Sequence, residues 1–227
     1  MRKIIKKFRN TPISRFLMKI YSFIELIAIK NFQEKKTMDL INGIIKKDKP
    51  LLLPSELFLI YAFAKTQTLI DGDYAEVGVC EGGTAKTICE AKKDKSLYLF
   101  DTFDGLPETE KIDETVNFKP NMFSADFEKV KEKLADYKNV YIYKGLFPKT
   151  STPIKDKKFA FVHLDVDLYQ GTKDCLEFFY SRMTKGGIII SHDYDMEGVR
   201  KAFDEFFANK PEIVIQLVMT QGMVIKR

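Results

Sequence analysis

The chain reads as an α/β protein. The expected architecture is a Rossmann-like, doubly wound and mostly parallel sheet of about seven strands, with an antiparallel C-terminal hairpin and an N-terminal helical arm. Three observations predict it. Short apolar runs alternate with amphipathic stretches from residue 51 onward, the pattern of successive βαβ units. Two of those runs, Phe159–Leu164 and Gly186-Gly-Ile-Ile-Ile190, are apolar almost throughout, as strands covered on both faces are. The chain ends in two β-rich runs, 213–219 and 223–226, around Thr220-Gln-Gly222, which is a hairpin signal at a sheet edge.

With 227 residues and 45% hydrophobic composition, the chain can bury one core of ordinary domain size. Cys80, Cys89 and Cys175 form no CxxC pair and no disulfide framework, so a reducing, cytoplasmic setting is expected. The net charge of +5 is unevenly spread: residues 1–50 carry 13 Lys/Arg against 4 Asp/Glu, leaving the rest at −4. A nucleic-acid site would need aromatic or base-reading residues beside a basic patch in the body, and none is evident, so no nucleic-acid partner is expected.

The elements follow in order. Met1–Asn10 is a basic tail. Thr11-Pro12 suits an N-cap with proline in the first turn, and Ile13, Phe16, Leu17, Ile20, Phe23, Ile24 and Ile27 recur at helical spacing. Arg15, Lys19 and Glu25 interrupt that run, which argues against a membrane span or a signal peptide. An amphipathic helix packed on the body or on another subunit of a homo-oligomer is one reading. A basic helix lying peripherally on an anionic membrane through residues 1–30 is the other. Lys46–Pro50 reads as the link from this arm, residues 1–50, to the body, residues 51–227. Helices are expected from Pro54, over 82–92, 124–137, 171–183 and 198–208. Strands are expected over 74–79, 97–100, 140–143, 159–164 and 188–191. The loop from Asp101 to about Asn121 exceeds the usual connection length, as functional lids do.

The strand ends carry the chemistry. Phe159–Leu164 terminates in Asp165-Val-Asp167, and Ile188–Ile190 terminates in Ser191-His192-Asp193-Tyr194. Strand stability does not call for buried carboxylates. Alternation sends Asp165 and Asp167 to one side, and neighbouring strands lie roughly 5 Å apart. The four groups therefore converge in the crevice above the carboxyl ends of a parallel sheet, where ligands bind. His163 is expected to be a buried, hydrogen-bonded histidine. Earlier, Glu76-Val-Gly78-Val-Cys-Glu-Gly82-Gly83-Thr84 forms a strand–helix turn whose glycines allow close backbone approach and whose helix start offers N–H groups to an anion. Its spacing is not that of the dinucleotide motif. Asp101, at the next strand end, is placed to take a ribose diol.

Glu76-Val-Gly-x-x-x-Gly-Gly, Asp101-Thr-Phe-x-Gly-Leu-Pro107, Leu164-Asp-x-Asp-Leu-Tyr169-x-x-Thr172, Gly186-Gly-x-x-Ile-x-x-Asp193-Tyr194 and Gly198-x-Arg-x-Ala-x-Asp-x-Phe206 together resemble the macrocin (TylF/MycF-type) O-methyltransferase family over roughly residues 54–208. The resemblance implies a class I, S-adenosylmethionine-dependent and metal-dependent enzyme that methylates hydroxyls of sugars or glycosylated small molecules. It implies that Glu76, Val77, Gly78, Gly82 and Thr84 line the cofactor cleft, with Asp101 on the ribose, Thr102 and Phe103 beside it, and Ser124 near the adenine. It assigns a divalent metal, magnesium or manganese, to Asp165, Asp193 and the residue before it, and the general base to Asp167. Where the family usually shows Asp-Asp-Tyr, this chain has His192-Asp193-Tyr194. Imidazole suits transition ions better than magnesium, so either His192 leaves the shell or the ion is not magnesium. Two other readings stay open: an Asp-x-Asp nucleotide-sugar glycosyltransferase, and a non-catalytic binding protein with a degenerate site.

Overall fold

In the computed structural model, residues 12–48, 50–109, 111–116 and 118–227 are described; the basic tail and Thr11 lie outside them. The chain opens with α1 (Pro12–Lys30), α2 (Lys35–Asp48) and α3 (Pro54–Gln67). Strands and helices then alternate: β1 (Asp73–Val77), α4 (Gly83–Ala91), β2 (Leu97–Asp101), α5 (Phe127–Leu134), β3 (Val140–Lys144), β4 (Phe159–Leu164), α6 (Tyr169–Tyr180), β5 (Met183–Ser191) and α7 (Glu197–Phe207). The short strands β6 (Ile215–Gln216) and β7 (Gly222–Ile225) close the chain. The sheet order is β3-β2-β1-β4-β5-β7-β6. The first five strands run parallel, and β7 pairs antiparallel with both β5 and β6. This is the doubly wound sheet with an antiparallel edge expected from the sequence.

Alternation along the strands divides the core in two. Tyr74, Leu97, Leu99, Phe161, Ile188 and Ile190 face a layer that includes Ile41, Leu57, Ile60, Ile88 and Leu134. Ala75, Val77, Tyr98, Phe100, Val162 and Leu164 face Leu176, Phe179, Phe203 and Phe207 on the other side. Each Val, Leu, Ile or Phe among them contributes about 1.5–3 kcal/mol when fully buried. A register shift between Phe159 and Phe161 resets the alternation in β4.

Register places the site. Val77 pairs with Phe100 and with Leu164, and Leu164 pairs with Ser191, so β1, β2, β4 and β5 end level with one another. The ladder then extends one residue further. Gly78 N–H donates to Phe100 O (2.9 Å), Asp165 N–H to Val77 O (2.9 Å) and His192 N–H to Leu164 O (2.8 Å). Residues 78, 101, 165 and 192 therefore emerge side by side above the switch point between β1 and β4.

Several boundaries differ from those expected. Residues 35–48 form a helix of the body, because Met38, Ile41 and Ile44 are buried in the core. Ahead of it, α1 presents Ser22, Glu25, Leu26 and Ile29 inward and is tied down by Glu25, which accepts from Ser55 N–H (3.2 Å) and Oγ (2.8 Å). The helix expected from Ser124 starts at Phe127, since Asp126 is its cap and accepts from Glu128 and Lys129 N–H. Met183 belongs to β5 and not to the preceding helix. The three cysteines are free.

Candidate active site

A cavity of about 1780 Å³ lies above the strand ends. Val77, Gly78, Asp101, Thr102, Asp165, Asp167, His192 and Asp193 all contribute to its wall. Gly78 is required there for a steric reason: its φ is +88°, and a Cβ would sit 1.9 Å from the carbonyl oxygen of Asp165. Only glycine lets the β1 turn pass so close to the end of β4.

Asp165, His192 and Asp193 bring ligand atoms within 4.8 Å of one another. The imidazole Nδ1 of His192 lies 3.0 Å from Asp165 Oδ1 and 2.8 Å from Asp193 Oδ2. Burial works against a charged ring, but the Asp193 and Asp165 carboxylates outweigh it and hold His192 well above its ordinary pKa. Asp167 is pushed well above the carboxylate range, first by burial and then by the charges of Asp193 and Asp165. Clustered acids behave this way when no cation balances them. The convergence does not come from strand alternation, because β4 ends at Leu164. Asp167 turns inward through a left-handed backbone (φ 61°), with Leu168 N–H donating to Val166 O at 2.6 Å.

One residue of this cluster escaped the sequence reading. Glu56, 1% exposed, sits in the first turn of α3 and faces the other imidazole nitrogen, with Oε2 3.7 Å from His192 Nε2. It also accepts from Leu53 N–H (2.9 Å), Thr220 N–H (3.1 Å) and Thr220 Oγ1. Burial raises its pKa, yet these partners overcome burial and hold it below the usual value. A carboxylate behind a histidine is the arrangement that orients a metal-ligating ring. The available signal, an acidic residue in a first helical turn, reads equally well as a helix-dipole partner.

The remaining expected cofactor residues divide. Asp101 braces the glycine turn: Oδ2 accepts from Val79 N–H (2.6 Å) and Cys80 N–H (2.7 Å), and Oδ1 from Phe103 N–H (2.6 Å). A carboxylate has about four lone-pair sites, so Asp101 retains one for a hydroxyl donor. Thr102 lines the cavity with its Oγ1 donating to Gly105 O (2.8 Å). Glu76 does not reach the cavity; it is fully buried and bonds His163 Nδ1 at 2.9 Å, which bears out the buried-histidine reading. Burial lifts the Glu76 pKa to about 7. Gly82 and Thr84 sit at the start of α4: Gly82 faces Val130, a Cβ there lying 3.2 Å from Val130 Cγ1, Thr84 is buried, and Gly83 between them abuts Pro50. Phe103 is buried against Phe127, ring centroids 5.1 Å apart. Ser124 is exposed beside Phe123, which does line the cavity.

The long loop after β2 is ordered over its described residues. Asn121 N–H donates to Leu106 O (2.9 Å), Leu106 N–H donates to Met122 O (2.9 Å), and Asp113 Oδ1 accepts from Tyr169 N–H (3.1 Å). Other motif residues are structural. Arg200 stacks over Tyr194 at 4.9 Å and donates to its carbonyl, while Thr172 Oγ1 donates to Leu168 O.

The donor set suits a divalent ion, with two carboxylates and one imidazole nitrogen clustered on one point and a buried carboxylate behind the ring. The cavity suits a nucleoside-bearing cofactor, since it lies at the sheet's switch point with an acidic group at the end of β2.

Comparison with known proteins places the chain among O-methyltransferases. The mycinamicin III 3''-O-methyltransferase of Micromonospora griseorubida is 26% identical over 154 residues, 60% of this chain and 61% of that protein. The 8-demethyl-8-(2,3-dimethoxy-alpha-L-rhamnosyl)-tetracenomycin-C 4'-O-methyltransferase of Streptomyces olivaceus is 26% identical over 152 residues, 60% of this chain and 58% of that protein. The chain thus spans about three fifths of the length of these curated relatives. Among solved structures, calicheamicin methyltransferase CalS11 superposes with a TM-score of 0.69 at 17% identity, covering 96% of this chain and 94% of that one. The O-methyltransferase NovP gives 0.68 at 23% identity, covering 78% and 81%. At these identities the structural matches establish the fold. Residues 62–223 match the family model of macrocin O-methyltransferase (TylF), and the chain belongs to that family.

Proposed function

We propose that this protein transfers the methyl group of S-adenosylmethionine to a hydroxyl of a sugar or glycosylated small molecule, assisted by a divalent ion held by Asp165, His192 and Asp193. The observation that carries the reading is the convergence of those three side chains, within 4.8 Å, on the wall of the switch-point cavity. Family membership supports methyl transfer over the glycosyl transfer that an Asp-x-Asp strand end also suggests. The named relatives are a 4'-O-methyltransferase of a rhamnosyl tetracenomycin and a 3''-O-methyltransferase of mycinamicin III, which supports a sugar acceptor.

The bound cofactor supplies a reactive methyl sulfonium, and the ion supplies Lewis acidity that lowers the pKa of an alcohol. The chain's own residues do the rest. Asp101 offers its remaining acceptor site to a ribose hydroxyl, and Gly78 opens the wall for the cofactor. Asp167, adjacent to the ligand cluster and on the same cavity wall, takes the proton of the acceptor hydroxyl, as a base within hydrogen-bond reach can. Alignment of oxygen, carbon and sulfur by the cavity contributes up to about 7 kcal/mol or more. Glu56 faces Nε2 of His192 and so favours the ring orientation in which Nδ1 points to Asp165 and Asp193, the side that would hold the ion. Mass spectrometry of a panel of rhamnosylated acceptors, incubated with cofactor and Mg²⁺ or Mn²⁺, should show products heavier by one methylene. No gain with any acceptor, together with no cofactor binding by calorimetry, would contradict the assignment.

A further inference from the structure

α1 is placed with its most apolar stripe outward. Phe16 (64% exposed), Leu17 (58%), Ile20, Phe23 (65%), Ile24 and Ile27 fall within roughly a third of the helix circumference at 100° per residue. The opposite side, with Ser22, Glu25, Leu26 and Ile29, faces the body. An uncovered stripe of this size marks an interaction surface. Phe32 and Leu51, close after α1 in sequence, are also exposed, at 85% and 72%.

We propose that this stripe seats the protein on an anionic lipid bilayer. The charge argues for that occupant. Arg15, Lys19 and Lys30 belong to α1, and Arg2, Lys3, Lys6, Lys7 and Arg9 immediately precede it. Residues 1–50 carry +9 while the remainder carries −4. A second copy would bring an identical +9 segment to the same interface, whereas an anionic surface complements it. Aromatic and aliphatic side chains beside basic ones are how helices lie in a bilayer interface. No helix among the described residues is long and apolar enough to cross a membrane, so the helix lies on the surface. Leu17 and Phe23 also line the cavity. Docking by this stripe therefore turns the cavity mouth toward the headgroups. The proposal does not depend on the chemistry assigned to the cavity.

The test is co-sedimentation of the full chain with vesicles of phosphatidylcholine alone or with a quarter phosphatidylglycerol, alongside light scattering for molecular mass. Bound protein should rise at least about tenfold with the anionic lipid and fall at high salt. The variant Phe16→Glu/Ile20→Glu/Ile24→Glu should keep its circular dichroism and melting temperature and lose vesicle binding. Absence of binding to anionic vesicles, or binding unchanged in the variant, overturns the proposal. A wild-type dimer that ignores vesicles and is split by the variant assigns the stripe to a second copy and overturns it as well.

Discussion

Asp167 and Asp193 both adopt left-handed backbone, φ 61° and 57°, as do Cys80, Phe103 and Phe123 near the same cavity. Non-glycine residues held there cost about 1–3 kcal/mol each, and such strain gathers at functional sites. Each aspartate's side chain is aimed by that turn and not by the preceding strand. Asp167→Asn keeps the shape and removes the base, so turnover should fall by about 10²–10⁴-fold, with cofactor affinity by calorimetry near wild type; full activity would take Asp167 out of that role. Asp165→Ala should abolish both Mn²⁺ binding, measured by electron paramagnetic resonance, and methyl transfer. Glu76 makes a different prediction. Its folded pKa is about 7 against an ordinary 4.5, so the folded chain keeps a proton that the unfolded chain releases between those values. Stability from this group is full below pH 4.5 and is lost as pH rises through 7, by something on the order of 3 kcal/mol. Glu76→Gln should remove that slope, read as the wild-type-minus-variant difference in urea unfolding across pH 4.5–8.

At the scale of elements, the site depends on how turns and helices abut. Gly78→Ala would drive a methyl group into the Asp165 carbonyl. It should destabilise by about 1–3 kcal/mol and weaken cofactor binding with it. α2 is clamped by Asp48, 4% exposed, which bridges Lys86 of α4 (3.0 Å) and Lys133 of α5 (3.3 Å). Asp48→Ala leaves two lysines without their shared partner and should lower stability by about 3 kcal/mol in chemical denaturation. The parallel strands were legible because burial on both faces writes a continuous apolar run, and β4 begins and ends where that run does. The acids after β4 and β5 were legible because nothing in strand packing calls for them. α2 was not, since Met38, Ile41 and Ile44 are diluted by six lysines and aspartates, and the Asp48 pairing is revealed only by the fold. Glu56 was hidden for the same reason: its partner Thr220 is 164 residues away. Gly82, Thr84 and Phe103 were placed at the cofactor by motif. The structure puts Gly82 against Val130 and Phe103 against Phe127, and buries Thr84 in the first turn of α4, because the neighbouring helices close over that turn.

Over the whole molecule, charge is arranged in two places for two purposes. Acids gather at the level ends of β4 and β5, while bases gather in residues 1–50. The sheet's two-sided core holds the first set in register, and the second lies in the sequence on either side of the apolar stripe of α1. The account stands on a cation beside the methyl donor. Initial rates of methyl transfer to a rhamnosylated acceptor, before and after exhaustive chelation and then with Mg²⁺ or Mn²⁺ restored, test it most directly. The rate should vanish on chelation and return with the ion, and Asp165→Ala should respond to neither treatment. Undiminished turnover in the chelated enzyme would contradict the account.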